Sequence, residues 1–218
     1  GLITGPEPFS RLLTQGMVIK DGAKMSKSKG NVVDPDAIIN QYGADTARLF
    51  TLFAAPPTKD LDWSDEGVQG GLRFLKRAWR IFEDLRDSID NPSDLSDTGS
   101  VKELKNLRRM THLTIKRVTG DIERRMQFNT AISAIMEFVN HLYPFKEWWK
   151  KQQNPATGSQ GVVYDAIQAL ALLLAPFAPH IASEMWSQIR PGEPVHEAPW
   201  PKFETALTEE EEVLIVFQ

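Results

Sequence analysis

Apolar residues recur along the middle of the chain at the spacing of one face of an α-helix. After Ser64 the apolar positions step by one, three, three, one and three residues, which is the period of a helix buried on one side. These positions are Phe74, Leu75, Ala78, Ile81, Phe82 and Leu85. Ser64 can cap a helix N-terminus, because its hydroxyl accepts a hydrogen bond from the first turn. The pattern predicts a long helix that begins after Ser64.

Two shorter helices are predicted before this one. Asp34 is a good N-cap residue and Pro35 suits the first helical position, so a helix should run from there to about Gln41. A second helix is predicted from about Ala44 to Ala54, where Pro56 and Pro57 follow.

The second half of the chain predicts four more helices. Ser100–Glu103 has the form of a capping box that opens a helix through about Arg124. Apolar residues from Phe128 to Leu142 mark the next helix, which Pro144 is expected to interrupt. The last two helices are predicted at 162–175 and 179–190.

Polar stretches at 90–99 and 154–161 are predicted to be a linker and a loop, and strand-forming residues are confined to the two ends of the chain. Four or five amphipathic helices of 12–25 residues with short connections are typical of a helical bundle. The predicted fold class is therefore mainly α, a helical bundle preceded by a small mixed segment.

Composition narrows the class of protein. The 218 residues carry 25 Lys and Arg against 29 Asp and Glu, a net charge of −4, which argues against a wholly basic nucleic-acid coat but allows a local basic face. No cysteine is present, which excludes disulfides, cysteine–zinc sites and thiol catalysis. The longest apolar stretch, Ala169 to Pro179, is too short to span a bilayer. These features predict a soluble, cytoplasmic protein of a reducing compartment.

A lysine-rich loop near the N-terminus is the strongest candidate for chemistry. Lys20, Lys24, Lys27 and Lys29 fall within ten residues, against the single acid Asp21. Ammonium groups, serine hydroxyls and backbone N–H groups near a glycine can all bind phosphate oxygens. Taken alone, such a loop is more often a solvated basic segment or a run that resembles a nuclear-localisation signal.

The letters of this loop resemble a known signature. Residues 24–28 spell KMSKS, the signature of class I aminoacyl-tRNA synthetases, and the continuation KGNVVDP at 29–35 and YGADTAR at 42–48 resembles the leucine, isoleucine and valine enzymes. LTQGMV at 13–18, LFAAPP at 52–57, LDWS at 61–64 and APFAPHIA at 175–182 are most similar to the bacterial-type leucyl-tRNA synthetases. The resemblance covers essentially the whole chain.

The resemblance implies a role for the loop residues. In that family the loop closes over ATP and stabilises the pyrophosphate that leaves when leucine is activated to leucyl-adenylate. It implies that Lys27 contacts ATP phosphate with Lys24 assisting, and that Ser26 and Ser28 shape the loop or donate hydrogen bonds. Met25 is expected either to anchor the loop or simply to fill the core. ATP, Mg²⁺, leucine and tRNA(Leu) would be ligands of the full enzyme, and a monomer is expected.

The resemblance also implies a division of the chain. Residues 1–33 would be the C-terminal edge of a Rossmann-type catalytic domain, 34–70 a stem-contact region, 71–195 an anticodon-binding bundle, and 196–218 a linker and the start of a further domain. The family's HIGH signature, an editing domain and zinc ligands have no match here, so the chain resembles a C-terminal portion that is inactive alone. The alternatives are a non-catalytic tRNA-binding module and an isoleucyl or valyl relative.

Several other residues are better explained by structure than by chemistry. His180, after Pro179, is expected to be structural. Asp62, Trp63 and Asp65 could suggest a carboxylate pair for acid–base work, but stabilisation of a helix start is the favoured interpretation. Trp148-Trp149 could stack on bases, but packing in the core is the favoured interpretation. The acidic run at 209–212 is expected to be a solvated linker.

A basic stripe is predicted on the helix that follows residue 100. At about 100° per residue, one face of this helix should point into the core; it carries Leu104, Leu107, Thr111, Ile115 and Val118. A second stripe lies roughly 130° away; it carries Lys105, Arg109, His112 and Lys116. In a bundle that resembles an anticodon-binding domain, Lys105, Arg109 and Lys116 are predicted to contact tRNA phosphates, the alternative being a solvated face.

Overall fold

The computed structural model describes residues 12–89, 101–152 and 159–209. It begins with a small sheet of three strands, β1 (Val18–Lys20), β2 (Ala23–Lys24) and β3 (Leu61–Asp62), in the order β2-β1-β3. β1 and β2 form an antiparallel hairpin, whereas β3 returns from later in the chain and pairs parallel to β1. The hairpin turns at Asp21 and Gly22, with φ of 56° and 73°. Two residues with positive φ match the right-handed twist of the strands they join.

The position of β3 corrects the expectation that strands occur only at the ends of the chain. This strand has two residues and is held by hydrogen bonds from the Leu61 and Trp63 amides to the carbonyls of Met17 and Ile19, at 2.9 and 2.8 Å. A strand this short carries no alternating pattern, so the sequence could not reveal it. The predicted strand at 213–218 lies outside the described residues.

Two short helices, α1 (Pro35–Tyr42) and α2 (Ala44–Phe53), connect the hairpin to β3. Both were predicted from the sequence, and Asp34 accepts a hydrogen bond from the Asp36 amide at 3.0 Å as the expected N-cap. Buried side chains from α1, α2, β3 and the next helix form a small core beside the sheet. Its members are Ile38, Phe50, Leu61 and Val68.

Five longer helices form the predicted helical bundle. They are α3 (Asp65–Arg86), α4 (Lys102–Gly120), α5 (Phe128–Trp149), α6 (Ser159–Leu174) and α7 (Pro179–Ile189). α3 begins where predicted, since Ser64 Oγ accepts a hydrogen bond from the Gly67 amide at 3.1 Å. All six apolar positions that define the α3 face are buried in the main core. No helix in the described ranges is long and apolar enough to cross a membrane.

The two ends of α4 differ from the prediction. The N-cap is Val101, with no side-chain hydrogen bond to the first turn, and Ser100 of the expected capping box lies outside the described residues. At the other end the α-helix stops at Gly120 and continues as one wider turn of π-helix, Asp121–Arg125. Asp121 is buried there and pairs with Arg125 at 3.3 Å.

The start of α6 and the course of α5 at Pro144 also differ from the prediction. α6 begins at Ser159 rather than 162, and Gly161 is buried within it, because packing against neighbouring helices outweighs the poor helix propensity of glycine. α5 runs unbroken through Pro144, which is exposed on the helix surface. The predicted linker at 90–99 and residues 153–158 lie outside the described ranges.

The two adjacent tryptophans of α5 pack within the protein, as predicted. Trp149 is buried, and its indole N–H donates to Ser88 Oγ at 2.8 Å. Trp148 is half-buried against Phe145, with ring centroids 5.6 Å apart.

Candidate functional site

The lysine-rich loop grows directly from the β1–β2 hairpin. The Met25 amide donates to the Val18 carbonyl at 3.0 Å, which extends the strand pairing one residue beyond Lys24. The chain then folds into a single 3₁₀ turn, Lys27–Lys29, which ends at Gly30 with φ of 68°. Because this left-handed conformation is open to glycine at little cost, the turn can stop sharply at this point.

The side chain of Asn31 closes the base of the loop. Its Oδ1 atom accepts a hydrogen bond from the Ser26 amide at 2.9 Å. Its Nδ2 atom lies 3.1, 3.2 and 3.4 Å from the carbonyl oxygens of Lys20, Ala23 and Lys24. One amide group therefore ties the start of the loop to the turn of the hairpin.

The charged groups of the loop point to solvent. Lys24, Lys27, Ser28 and Lys29 are exposed, whereas Met25 is half-buried. The hydroxyls of Ser26 and Ser28 lie 3.2 Å apart. Three exposed ammonium groups and two hydroxyl groups within six residues can bind a phosphate chain. The roles of the individual residues stay predictions.

A polar clamp joins α2 to the turn before α7. The Asp45 carboxylate accepts hydrogen bonds from the amides of His180 and Ile181, at 3.2 and 2.7 Å. Arg48, one helical turn later, donates twice to the Pro176 carbonyl at 3.1 and 2.9 Å. The clamp therefore fastens the segment that follows the lysine-rich loop to the helical bundle.

His180 and the segment around Trp63 have the structural roles that were predicted. His180 Nδ1 lies 2.7 Å from Asp45 Oδ1, at the first turn of α7. The Trp63 indole N–H donates to Asp65 at 2.9 Å, in the first turn of α3, and the Trp63 ring contacts Phe50 edge-on.

α4 carries both predicted stripes of residues, one that faces the core and one that is basic. The five residues of the core stripe are all buried, as expected. On the other stripe Lys105 and Lys116 are exposed, and Arg109 and His112 are half-buried. Whether these cations contact tRNA stays a prediction.

Residues 195–208, which we call the C-terminal strap, pack along this second stripe. The Trp200 indole N–H donates to Thr119 at 2.8 Å, and the Glu204 amide donates to His112 Nδ1 at 3.1 Å. Lys116 donates to the Thr208 hydroxyl at 3.3 Å and lies over the Phe203 ring, 6.0 Å from its centroid. Sequence analysis placed most of this segment in a linker, and the structure shows it folded against α4.

Burial changes the ionisation of His112, which contacts the strap. It lowers the pKa of the imidazole below its usual value of 6.5; the nearby Glu204 carboxylate opposes this change and Arg108 adds to it. The imidazole is therefore neutral near pH 7, which suits an Nδ1 atom that accepts a hydrogen bond.

A cleft of about 610 Å³ lies between α4, α6, α7 and the strap. Its walls include the Trp186 and Trp200 rings and the charged side chains of Asp165 and Arg190. Burial raises the pKa of the Asp165 carboxyl, although Arg108 acts in the opposite direction. Within the ranges that the structure describes, no group of three or more His, Asp or Glu side chains is placed to hold a metal ion.

Asn31, Asp45 and Arg48 are the residues at these sites to which sequence reasoning gave no role. Asn31 follows a glycine at the end of a loop, a position where Asn often bonds to nearby backbone, and this signal was available. Asp45 and Arg48 bond to residues more than 120 positions away, and the single sequence carries no sign of such contacts.

Comparison with known proteins finds tRNA ligase families over both the N-terminal segment and the helical bundle. Residues 105–218 match the anticodon-binding domain of tRNA ligase, and residues 2–64 match the class I tRNA synthetases for isoleucine, leucine, methionine and valine. Proteins named leucine--tRNA ligase from Geotalea uraniireducens and Syntrophobacter fumaroxidans are 53% and 52% identical over 97% and 100% of this chain. The chain spans 25% and 26% of their lengths.

A solved structure is similar as well. The LeuRS of Agrobacterium radiobacter K84, in a ternary complex with tRNA and LeuAMS, matches 90% of this chain and 25% of its own, with a TM-score of 0.75 and 35% identity. The shared fold includes a helical bundle, and more than half of the chain, residues 105–218, matches one domain family. On this evidence the chain belongs to the anticodon-binding domain family of the tRNA ligases.

Proposed function

We propose that this chain supplies the phosphate-contacting loop and the tRNA-binding bundle of a leucine–tRNA ligase. The full enzyme would activate leucine with ATP to leucyl-adenylate and transfer it to tRNA(Leu). The identity to leucine–tRNA ligases across the whole chain supports this reaction. We also expect the enzyme to act in the cytoplasm as a monomer.

The lysine-rich loop is the observation that carries the proposal. Negative charge accumulates on pyrophosphate as it leaves, and a placed cation stabilises that transition state more than the ground state. Lys27 is exposed on a turn whose base is pinned, so its ammonium is the group proposed to contact the phosphates of ATP, with Lys24 assisting. The hydroxyls of Ser26 and Ser28 would donate further hydrogen bonds.

The residues of the loop fit a polyphosphate, since they offer cations, hydroxyls and backbone amides, and residues 24–30 include no carboxylate. Mg²⁺, bound to phosphate oxygens, would supply further neutralisation of the same charge. The chain has no match to the HIGH signature that would hold the nucleotide from its other side, so this chain alone is expected to be inactive in leucine-dependent ATP–pyrophosphate exchange.

The full-length ligase that contains this chain provides the test. Lys27→Ala should lower the rate of leucine-dependent exchange by on the order of 10²–10³-fold, as for loss of one strong transition-state donor, with much less change in leucine affinity. Lys76→Ala removes an exposed lysine from α3 and serves as the matched control. Equal losses in leucine binding and turnover would show that the loop supports the ground state instead.

Two alternatives are tested by the same assay. Exchange that depends on isoleucine or valine rather than leucine would identify one of the related enzymes. A full-length protein that binds tRNA but catalyses no exchange would be a non-catalytic module, a function that the match to an anticodon-binding domain also supports.

The α4 stripe is the proposed tRNA surface. Lys105, Arg109 and Lys116 would contact phosphates, the groups that dominate the affinity of nucleic-acid binding. Lys116 already contacts the strap, but Thr208 and Phe203 are uncharged partners. The positive charge of Lys116 is therefore not neutralised by these contacts and can still attract a phosphate.

A further inference from the structure

Asn31 makes an unusual set of contacts for a loop residue. Its Oδ1 atom meets an N–H donor, the amide of Ser26, and its Nδ2 atom faces three backbone carbonyls. This donor and acceptor pattern fixes which way the amide group points, because the opposite orientation would set oxygen against oxygen. The side chain is half-buried, so water competes less well for these partners than at an exposed site.

The hydrogen bond between the Ser26 amide and the Asn31 side chain closes the backbone of residues 26–31 into a ring. The Ser26 amide is bonded to the Asn31 side chain at one end, and the backbone of Asn31 follows Gly30 at the other end. Lys27 lies on this ring, one residue from the Ser26 amide. The ring is joined to the hairpin through the carbonyls of Lys20 and Ala23, which flank the hairpin turn.

The β1–β2 hairpin is in turn held by β3, which pairs with the opposite edge of β1. The backbone that carries Lys27 therefore has a continuous set of hydrogen bonds to the small sheet. Without the Asn31 side chain, no side chain would link the Ser26 amide to the carbonyls of Lys20 and Ala23. The last hydrogen bond between the hairpin and the start of the loop would then be the strand pairing at Met25.

We propose that Asn31 is a positioning residue for Lys27. The Asn31 amide group holds the 3₁₀ turn against the hairpin, so the backbone of Lys27 is already ordered when the Lys27 ammonium contacts the departing pyrophosphate. The inference rests on the function proposed above. Asn31 does not contact the nucleotide in this scheme. It acts because a displacement of about 1 Å in a catalytic group can reduce a rate by up to about 10²-fold.

The test is a double-mutant cycle in the full-length ligase, with Asn31→Ala, Lys27→Ala and the pair combined. Asn31→Ala should lower kcat for leucine-dependent ATP–pyrophosphate exchange by about 10–100-fold and leave the KM for leucine within about twofold. In the Lys27→Ala background the same substitution should change kcat by less than about twofold, because the group that it positions is already gone. Asn40→Ala, which changes an exposed asparagine of α1, is the matched control.

The possible outcomes separate the two proposals. Equal losses from Asn31→Ala in both backgrounds would overturn the positioning role and assign Asn31 to general stability. A Lys27→Ala enzyme with wild-type kcat would overturn the proposed function of Lys27, and the role of Asn31 would fall with it. If Asn31→Ala does not fold, Asn31→Asp keeps the acceptor for Ser26 but loses the donor, and it should give the same pattern in the cycle.

Hydrogen exchange gives a second readout that does not depend on catalysis. In the Asn31→Ala protein a peptide that spans residues 24–30 should exchange faster than in the wild type, whereas peptides from α3 and α5 should be unchanged. An unchanged rate in the loop peptide would show that Asn31 does not order the loop, and it would overturn the inference.

Discussion

The clamp between α2 and the start of α7 can be tested by changing Asp45 to alanine. Its carboxylate accepts hydrogen bonds from two backbone amides at the N-terminus of a helix, where a negative charge is favourable. Loss of an N-terminal cap costs about 0.5–2 kcal/mol, and hydrogen bonds to a charged group are worth about 1.5–3 kcal/mol. Because the Asp45 side chain is only 12% exposed, we expect a loss near 2–3 kcal/mol in the free energy of unfolding.

The contact with the His180 ring should add little to this value. The His180 side chain is 77% exposed, and exposed ion pairs contribute about 0–1 kcal/mol. His180→Ala is therefore the control that keeps both backbone amides and removes only the ring. It should shift the free energy of unfolding by less than about 0.5 kcal/mol.

Thermal and urea unfolding of this chain, followed by circular dichroism, measures both variants. For a chain of this size a loss of 2–3 kcal/mol corresponds to a decrease in Tm of about 4–12 °C. Asp45→Asn keeps one acceptor oxygen and should fall between Asp45→Ala and the wild type. The clamp would not depend on the two backbone amides if Asp45→Ala unfolded with the wild-type midpoint. The same would follow if His180→Ala lowered the free energy of unfolding more than Asp45→Ala does.

Two further predictions concern the surface of α4. Replacing Lys105, Arg109 and Lys116 together by alanine in the full-length ligase should weaken tRNA binding, while leucine activation without tRNA survives. The slope of log K against log salt should become shallower by about 0.7–0.9 for each lost phosphate contact. Wild-type affinity and salt slope in a filter-binding titration would show that the stripe is only a solvated face. For the strap, the Glu204 amide donates to His112 Nδ1, an atom that can accept this bond only when it carries no proton; protonation of the imidazole therefore removes one contact of the docked strap. Docking should therefore be complete above about pH 6.5 and weaken as the pH falls below that value. The measurement is the hydrogen-exchange protection around Glu204 relative to the intrinsic rate at each pH, which should be lower at pH 5.5 than at pH 7.5; equal protection at both values would contradict this sign.

The sequence predicted those parts of the fold that depend on neighbours in the chain. The helical period of α3, the Asp34 cap and the Ser64 cap all involve residues within one or two turns of one another, and the structure confirms them. Gly161 and β3 were missed because their conformations depend on partners that are distant in sequence. Local patterns carry no record of such contacts.

The same distinction applies to the candidate site. The lysines of the loop could be named as candidates because their types and spacing are visible in one short segment. The structure shows that they are exposed, and their role stays a prediction. The engagement of Lys116 by the strap could not be foreseen, since Thr208 lies 92 positions later in the chain. The closure of the loop by Asn31 needed only local reasoning, and a search for Asn side chains beside glycine turns would have found it.

The parallel pairing of β3 with β1 has a mechanical consequence. β3 ends two residues before the N-cap of α3, and the Trp63 amide between them donates to the carbonyl of Ile19 in β1, the first strand of the hairpin from which the loop extends. α3 has 22 residues and, as a rigid rod, a length of about 33 Å at 1.5 Å per residue. A tilt of about 5° therefore moves its far end by about 3 Å over that length, while the near end applies shear to the hydrogen bonds along β1. A torque on the bundle can therefore reach the hairpin through α3 and the two hydrogen bonds between β3 and β1, alongside the packing of α1 and α2 against the same small core.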